Sequence, residues 1–328
     1  MNSSRPGAEN AAKPESVRTE PARWKVAVSV ATAVVWLIGT GVRLTIRDAA
    51  PITAPVFYAL PVPVLLVVGW IPMRVIWRTR RRRLALCAAI ILVCQAFFWG
   101  EDAFRRQTDF RKDSLRILFW NVARGSFGYD GIVERIGFES PDIVAVVEAT
   151  HDGQAVEFWE SRLPDFSATC LGGGMTLLTH KRNDRFVVSE IEKGQVPRQL
   201  RYRVVSLRID GRPLSVLIAD IKSDPLHFRR PAFKHLAEIT GQRNDQPVIL
   251  AGDLNTPVDS RHVDLLRDEL ANAFEVSGAG YRETWPVVFP VLSLDQLWAN
   301  DHLRWHRCWT AASMHSDHRL MIAEFSIQ

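Results

Sequence analysis

The sequence predicts a chain in two parts, a helical membrane region followed by a soluble α/β domain. Three observations carry this reading. Stretches 26–42, 49–73 and 84–100 are apolar and free of charge, each within or near the roughly 17–25 residues that span a bilayer. Beyond residue 112, short apolar runs of strand length alternate with segments of helical spacing. Charge divides at the same place: residues 1–112 hold 17 Lys and Arg against 7 Asp and Glu, leaving 24 against 29 in 113–328. The chain has 328 residues, 47% of them hydrophobic and 23% charged, with a net charge of +5. Such a composition suits folded domains rather than a disordered chain.

Residues 1–23 are rich in Ser, Pro, Ala, Glu and Arg, and a disordered tail is expected there. The membrane region is set at 24–104, with about three helices. Five prolines fall in the second apolar stretch and would kink it or leave it re-entrant. Trp24, Trp36, Trp70, Trp77 and Trp99 lie mostly near the stretch ends, as in an aromatic belt. A cleaved signal peptide needs one such stretch, and three are present.

Orientation follows from the arginines. Arg74, Arg78, Arg80, Arg81, Arg82 and Arg83 crowd the connector after the second stretch, with no acid among them. The positive-inside rule places that loop in the cytoplasm. Three spans then put the N-terminal tail inside and everything after Gly100 outside. Arg23 and Lys25 agree with this; Arg43 and Arg47 oppose it. Residues 105–112 read as a linker. The basic excess belongs to the membrane part, so the soluble part lacks the general positive charge of a duplex-DNA binder.

In the soluble domain, 113–328, residues 115–120 form a first strand with Asn121 just past its end. A helix over 129–138 leads to a second strand, 143–147, which ends on Glu148. Residues 157–163 read as a helix and the three glycines at 172–174 as a turn. Strands at 175–180 and 186–191 are expected to pair through a turn at Lys181, Arg182, Asn183 and Asp184. Strands 201–209 and 214–221 meet at Asp210-Gly211, a strong hairpin signal, and a helix over 228–240 follows.

Next comes Val248-Ile249-Leu250-Ala251-Gly252-Asp253-Leu254-Asn255, a buried strand whose end carries two oxygen-rich side chains two positions apart. That spacing puts Asp253 and Asn255 on one face, where they can hold a water, a hard cation or a phosphate oxygen. Taken alone, the motif is equally a polar turn with an Asx cap, and Glu148 reads first as a solvated strand-end charge and second as a cation ligand. A helix at 262–270, a turn at 284–286 and a strand at 291–298 carrying Asp295 follow. His315-Ser316-Asp317-His318 and a closing strand, 320–325, complete the chain. An adjacent Asp and His after a loop suit a metal-adjacent carboxylate beside a general base. Cys170 and Cys308 are numerous enough for one disulfide in an oxidising compartment, but nothing in the sequence shows that they meet.

In this order, Asn121 in N-V-x-R-G, Glu148 ending its strand, the G-D-L-N of 252–255, Leu294-Asp295 and Ser316-Asp317-His318 resemble the endonuclease/exonuclease/phosphatase superfamily. The resemblance covers about residues 113–328. It implies a four-layer α/β sandwich, two mixed sheets packed face to face between helices, and metal-dependent cleavage of a phosphate ester. By position, Glu148 would be the main ligand of Mg²⁺ or Mn²⁺, with Asn121 and Asp317 close by. Asp253 would orient or deprotonate the attacking water, and Asn255 would hold water or a phosphate oxygen. Asp295 would fix the tautomer of His318 and raise its basicity. One Glu with amide neighbours suits Mg²⁺ better than a His/Cys zinc cage does.

The chain departs from that pattern at Asp220. Many members have a phosphate-contacting histidine there, and a carboxylate facing a phosphate dianion is repulsive unless a cation intervenes or it is protonated. Asp220 joins the metal shell, or Lys222 supplies the missing charge, or catalysis is impaired. Three functions follow: a membrane-anchored phosphoesterase acting outside the cytoplasm on a lipid, a small phosphodiester or scavenged nucleic acid; a catalytically weak binding domain of the same fold; and a cytoplasmic nuclease. No protein partner is expected.

Overall fold

The computed structural model describes residues 23–78, 81–105, 114–149, 153–182 and 185–328. The expected disordered tail, most of the expected linker, Arg80 and the Asn183-Asp184 turn fall outside them. Four helices come first: α1 (Arg23–Leu44), α2 (Ala54–Ala59), α3 (Val62–Arg78) and α4 (Arg82–Ala103). Segments Trp24–Leu44 and Arg82–Ala103 are long and apolar enough to cross a membrane. At 22 residues, α4 is about 33 Å long. The second apolar stretch does not form one span. It divides at Leu60-Pro61 into α2 and α3, because Leu60 leaves the helical region at φ −120°, ψ 60° and prolines follow.

The helices α1, α3 and α4 form an up-down-up bundle. Trp36, Leu65 and Leu92 pack at its centre. The Trp36 indole donates to Gln95 Oε1 at 3.2 Å, and Gln95 Nε2 donates to Thr40 Oγ1 at 2.9 Å. Leu37, Ile38, Val67, Val93, Phe97 and Phe98 point outward, which a bilayer would cover and water would not.

The rest is two mixed sheets. The first, in spatial order, is β1 (Phe104–Arg105), β11 (Gly278–Tyr281), β13 (Leu303–Ala311), β14 (Leu320–Ile327), β2 (Leu115–Asn121), β3 (Ile143–Val147), β5 (Met175–His180) and β4 (Phe166–Gly172). The second is β10 (Ala271–Asn272), β12 (Asp295–Ala299), β9 (Val248–Asp253), β8 (Arg212–Ile221), β7 (Leu200–Ile209) and β6 (Phe186–Val196). Each contains a parallel crossover. One runs β2 to β3 through α5 (Tyr129–Glu139), the other β8 to β9 through α7 (Arg230–Gly241).

Alternation builds the layers. Ile117 and Phe119 of β2 face Val216, Ile249 and Leu297 of the other sheet. Leu118 and Trp120 face outward onto Ile132 and Ile136 of α5 and Trp159 of α6 (Ala155–Arg162). On the far side, Leu217 and Leu250 receive Phe233 and Leu236 of α7. A short helix, α8 (Ala273–Ser277), is capped by Asn272 Oδ1, which accepts the N–H of Phe274 at 3.0 Å and of Glu275 at 3.1 Å. The result is the expected four-layer sandwich.

Three local expectations fail. The segments 175–180 and 186–191 are not a hairpin, because β5 and β6 belong to different sheets. Only a single 3-10 turn, Val263–Leu266, forms where a helix over 262–270 is expected. The strand carrying Asp295 begins at that residue rather than at 291. Cys170 and Cys308 form no disulfide with each other.

The helices are fixed to the sandwich by buried polar contacts. Asp48, fully buried after α1, accepts the hydroxyls of Tyr58 and Ser260 and the N–H of Arg261. Arg43 pairs with Asp259, Arg282 pairs with Asp102 at 2.6 Å, and β1 extends the sheet from the end of α4. Both α1 and α4 therefore end at the sandwich.

Candidate active site

The parity of the strands converges on one end of the sandwich. Asn121 follows Ile117 and Phe119 on the inner face of β2; Asp253 follows Ile249 and Ala251 on β9; Asp295 shares its face with Leu297 and Ala299 on β12. Asp295 and Asp253 are direct register partners. Across the gap, Asn121 Nδ2 donates to Asp253 Oδ2 at 2.9 Å and to Glu148 Oε1 at 3.3 Å. Its Oδ1 accepts the N–H of Ala123 at 2.9 Å, so both ends of the amide are engaged.

His318 closes the cluster from the turn before β14. Its main-chain N–H donates to Ser316 Oγ at 3.1 Å, and that hydroxyl donates to the Asn121 carbonyl at 2.7 Å. Its Nδ1 donates to Asp295 Oδ2 at 2.8 Å, and Nε2 stands 3.9 Å from Asp253 Oδ2. Thr284 Oγ1 holds Asp295 by its backbone N–H at 3.2 Å.

Two backbone features set the rim. Glu148 adopts φ 53° and Asn255 φ 43°, a left-handed region that asparagine enters readily and glutamate rarely. Gly174, at φ 77°, lies behind Glu148, where a Cβ would come within 2.9 Å of the Ala149 carbonyl. Gly252 is required by close approach: a Cβ there would meet the Ala219 carbonyl at 2.6 Å. Asn255 Nδ2 donates to the Ile221 carbonyl at 2.7 Å, and its N–H donates to Asp253 Oδ1 at 2.9 Å.

These groups line a cleft of about 360 Å³ into which Glu148, Asp253, Asn255, Asp317 and His318 project. Asn121 and Asp295 support it from behind. Asp317 Oδ2 accepts the Trp285 indole N–H at 3.2 Å at the mouth. Asp220, the register partner of Asp253 on β8, opens onto an adjoining pocket rather than onto this cleft. It is buried against Arg201 in that pocket, which is lined also by Arg124, Arg198 and Lys222. Burial and Glu148 raise its pKa, while Arg201 and Arg124 oppose the rise.

Electrostatics separates the two central groups. Burial pushes Asp253 up to about 7, Asp295 and Asp220 adding to the shift and His318 and Asn121 opposing it. Burial works against the His318 cation, but Asp295 and Asp253 outweigh it and hold the imidazole up to about 10. The environment therefore favours an imidazolium beside a carboxyl poised near neutrality.

Among the described residues, the Asp253, Asp295 and His318 ligand atoms lie within 4.8 Å of one another, close enough to hold a metal ion. Facing the cleft, the donors are carboxylate and amide oxygens apart from His318, a hard set that fits Mg²⁺ or Mn²⁺. Glu148 stands outside the three-residue group, at the rim and linked to it through Asn121.

Two cleft residues carry no motif. Arg229, at the start of α7, is 2% exposed and donates to the Lys222 carbonyl; its Nε has no partner, and no carboxylate among the described residues pairs with it. Tyr58 arrives from α2. No spacing rule marks either residue, because contact between distant parts of the chain places them.

The sequence profile of the Endonuclease/Exonuclease/phosphatase family matches residues 118–318, more than half of the chain. The chain belongs to this family. Solved structures share the family's fold at low identity. A mannosyl-6-phosphatase of Bacteroides thetaiotaomicron is 15% identical, with a TM-score of 0.56 over 65% of this chain and 100% of that one. TDP2 of D. rerio in complex with a single-strand DNA product is 17% identical, with a TM-score of 0.53 over 66% and 100%. The human Nocturnin catalytic domain with a bound sulfate anion is 21% identical, with a TM-score of 0.52 over 68% and 97%. Comparison with curated proteins finds no match. Membership in the endonuclease/exonuclease/phosphatase family supports a hydrolase acting on phosphate esters, the class that includes phosphatases and nucleases.

Proposed function

We propose that the chain is a membrane-anchored, Mg²⁺-dependent phosphoesterase that hydrolyses a phosphodiester or phosphomonoester by in-line attack of water. The observation that carries this is the buried group of His318, Asp295 and Asp253 at the mouth of the sandwich. Asp253, poised near neutrality, takes the proton of the attacking water as the new P–O bond forms and the ester P–O bond breaks, and the departing oxygen takes a proton from solvent to leave as the alcohol. His318, held cationic by Asp295, donates through Nε2 to a phosphoryl oxygen. Arg229 adds a second, fixed positive charge at the cleft wall. This is the role that the sequence pattern left vacant at Asp220.

Glu148, oriented by Asn121, would hold the cation, with Asp317 beside it and Asn255 positioning water or a phosphoryl oxygen. Bound there, Mg²⁺ or Mn²⁺ neutralises charge on the transferring phosphoryl group. The pairing of Asp220 with Arg201 supports an active enzyme, since that carboxylate is already matched to a cation.

The anchor is read as multi-pass. The arginine-rich connector between α3 and α4 lies on the cytoplasmic side, and the catalytic domain, at the other end of the bundle, lies outside. A nuclease is the second reading, favoured by Arg124, Arg198 and Lys222 in the adjoining pocket, a place for a further phosphate of a strand. The test is activity of the full chain in detergent micelles with Mg²⁺ on a generic phosphomonoester, a generic phosphodiester, lipid phosphodiesters and plasmid DNA. Hydrolysis of any of these esters supports the enzyme reading, preference for DNA supports the nuclease, and no turnover of any substrate refutes both.

A further inference from the structure

A second cavity, of about 480 Å³, lies between the helices and the sandwich. Its size falls in the roughly 300–1,000 Å³ range of ligand sites. The ends of α1 and α4 and the loop that carries Val291 and Leu292 form its wall. Leu292 also lines the catalytic cleft, so the two spaces share a wall.

Three features define what fits there. The lining is largely apolar, with Leu44, Ile90, Ile91 and Phe98 prominent. Its charged groups are matched to each other: Arg43 with Asp259, and Arg282 with Asp102 at 2.6 Å and Glu283 at 3.0 Å. No unmatched charge among them invites an ion. Leu44, Ile90, Ile91 and Phe98 are also exposed on the outer surface of α1 and α4, so the cavity opens sideways to where the bilayer would lie.

We infer that this cavity holds the hydrocarbon tail of the substrate, whose phosphate ester sits in the catalytic cleft beyond Leu292. The substrate is then an amphiphile, a phosphate ester carrying a long alkyl chain and drawn laterally from the membrane. This rests on the reading of the cleft as a phosphoesterase site. The single shared wall at Leu292 sets the two spaces side by side and favours a substrate tail over a lipid bound elsewhere on the helices.

The experiment compares two esters with the same leaving group, 4-nitrophenyl hexadecyl phosphate and 4-nitrophenyl methyl phosphate. Both are given to the full chain in micelles with Mg²⁺. The hexadecyl ester should have a kcat/KM about tenfold or more above the methyl ester, as expected from burying several methylenes. Cys94→Trp fills the cavity from α4, away from the cleft. It should remove most of that preference by raising KM, while leaving the methyl ester's kcat/KM unchanged. Val62→Trp, from the α3 side, should do the same and covers the case in which Cys94→Trp misfolds. Equal kcat/KM for the two esters, or a preference that survives both fillings, overturns the inference.

If neither ester is cleaved, the phosphodiesterase form of that reading fails, and a diazirine-tailed hexadecyl phosphate tests the cavity separately. Cross-links at Cys94, Phe98 or Val291 that Cys94→Trp suppresses support tail binding. Cross-links scattered over the outer faces of α1 and α4 overturn it.

Discussion

Nδ1 of His318 donates to Oδ2 of Asp295 at 2.8 Å, with both residues buried. The pairing sets the expected pH dependence. Asp253 must lose its proton to act as the base, so kcat/KM rises with pH through about 7. His318 must keep its proton to bind the phosphoryl oxygen, so kcat/KM falls again through about 10. Asp295 raises the proton affinity of both groups. Asp295→Asn should therefore move both limbs to lower pH as well as reduce the rate. A pH profile of kcat/KM checks this, and limbs that stay in place would remove Asp295 from the role.

Asp220 stands against Arg201 at the edge of the adjoining basic pocket. Replacing it by histidine strips Arg201 of its partner and adds a group repelled by that cation. Asp220→His should lower kcat severalfold and destabilise the fold by about 1–2 kcal/mol, the Arg201 end being half in solvent. Asp220→Asn should lose activity as well. Steady-state rates at saturating Mg²⁺ and denaturant titration measure both, and a tenfold gain in Asp220→His would show the position to be a damaged phosphate contact.

Asp48 joins the connector after α1 to the loop that follows the G-D-L-N motif, taking bonds from Ser260, Arg261 and Tyr58. Asp48→Ala leaves several buried donors unsatisfied, and a loss of about 2–4 kcal/mol is expected. Thermal unfolding of the full chain in micelles reads it. An unchanged Tm would mean that helices and sandwich are not coupled through this residue.

The orientation of the anchor is testable by protease added to sealed vesicles of known sidedness. The catalytic domain should be cut from the extracytoplasmic face and the Arg81–Arg83 region only after the vesicles are opened. The opposite pattern reverses the topology.

The catalytic end of the fold was legible because strands carry a period of two and polar residues closed several of them. Asn121, Glu148, Asp253 and Asp295 stand at or just past strand ends, and the structure gathers them with His318. Sheet membership was not legible. The run before Lys181 and the run after Asp184 look like hairpin arms, yet β5 is fully inside one sheet and β6 is an edge of the other. Two-residue strands such as β1 and β10 are too short to show a period. The helix expected over 262–270 shrinks to one turn where Ser260 and Arg261 bond to Asp48, a residue more than two hundred positions earlier. Arg229 and Tyr58 reach the cleft by the same kind of distant contact. Asp220 was visible as a departure, and the two-residue turn at Asp210-Gly211 sets Arg201 directly opposite it in register.

The most direct test is the metal dependence of hydrolysis by the full chain and its Glu148→Gln variant, using 4-nitrophenyl hexadecyl and methyl phosphates as substrates. Chelation should abolish turnover in the wild type and Mg²⁺ should restore it. Glu148→Gln should raise the Mg²⁺ needed for half-maximal rate by about tenfold or more. Turnover that persists in chelator, or a Glu148→Gln variant with unchanged rate and unchanged Mg²⁺ requirement, would contradict a metal-dependent phosphoesterase built on this cleft.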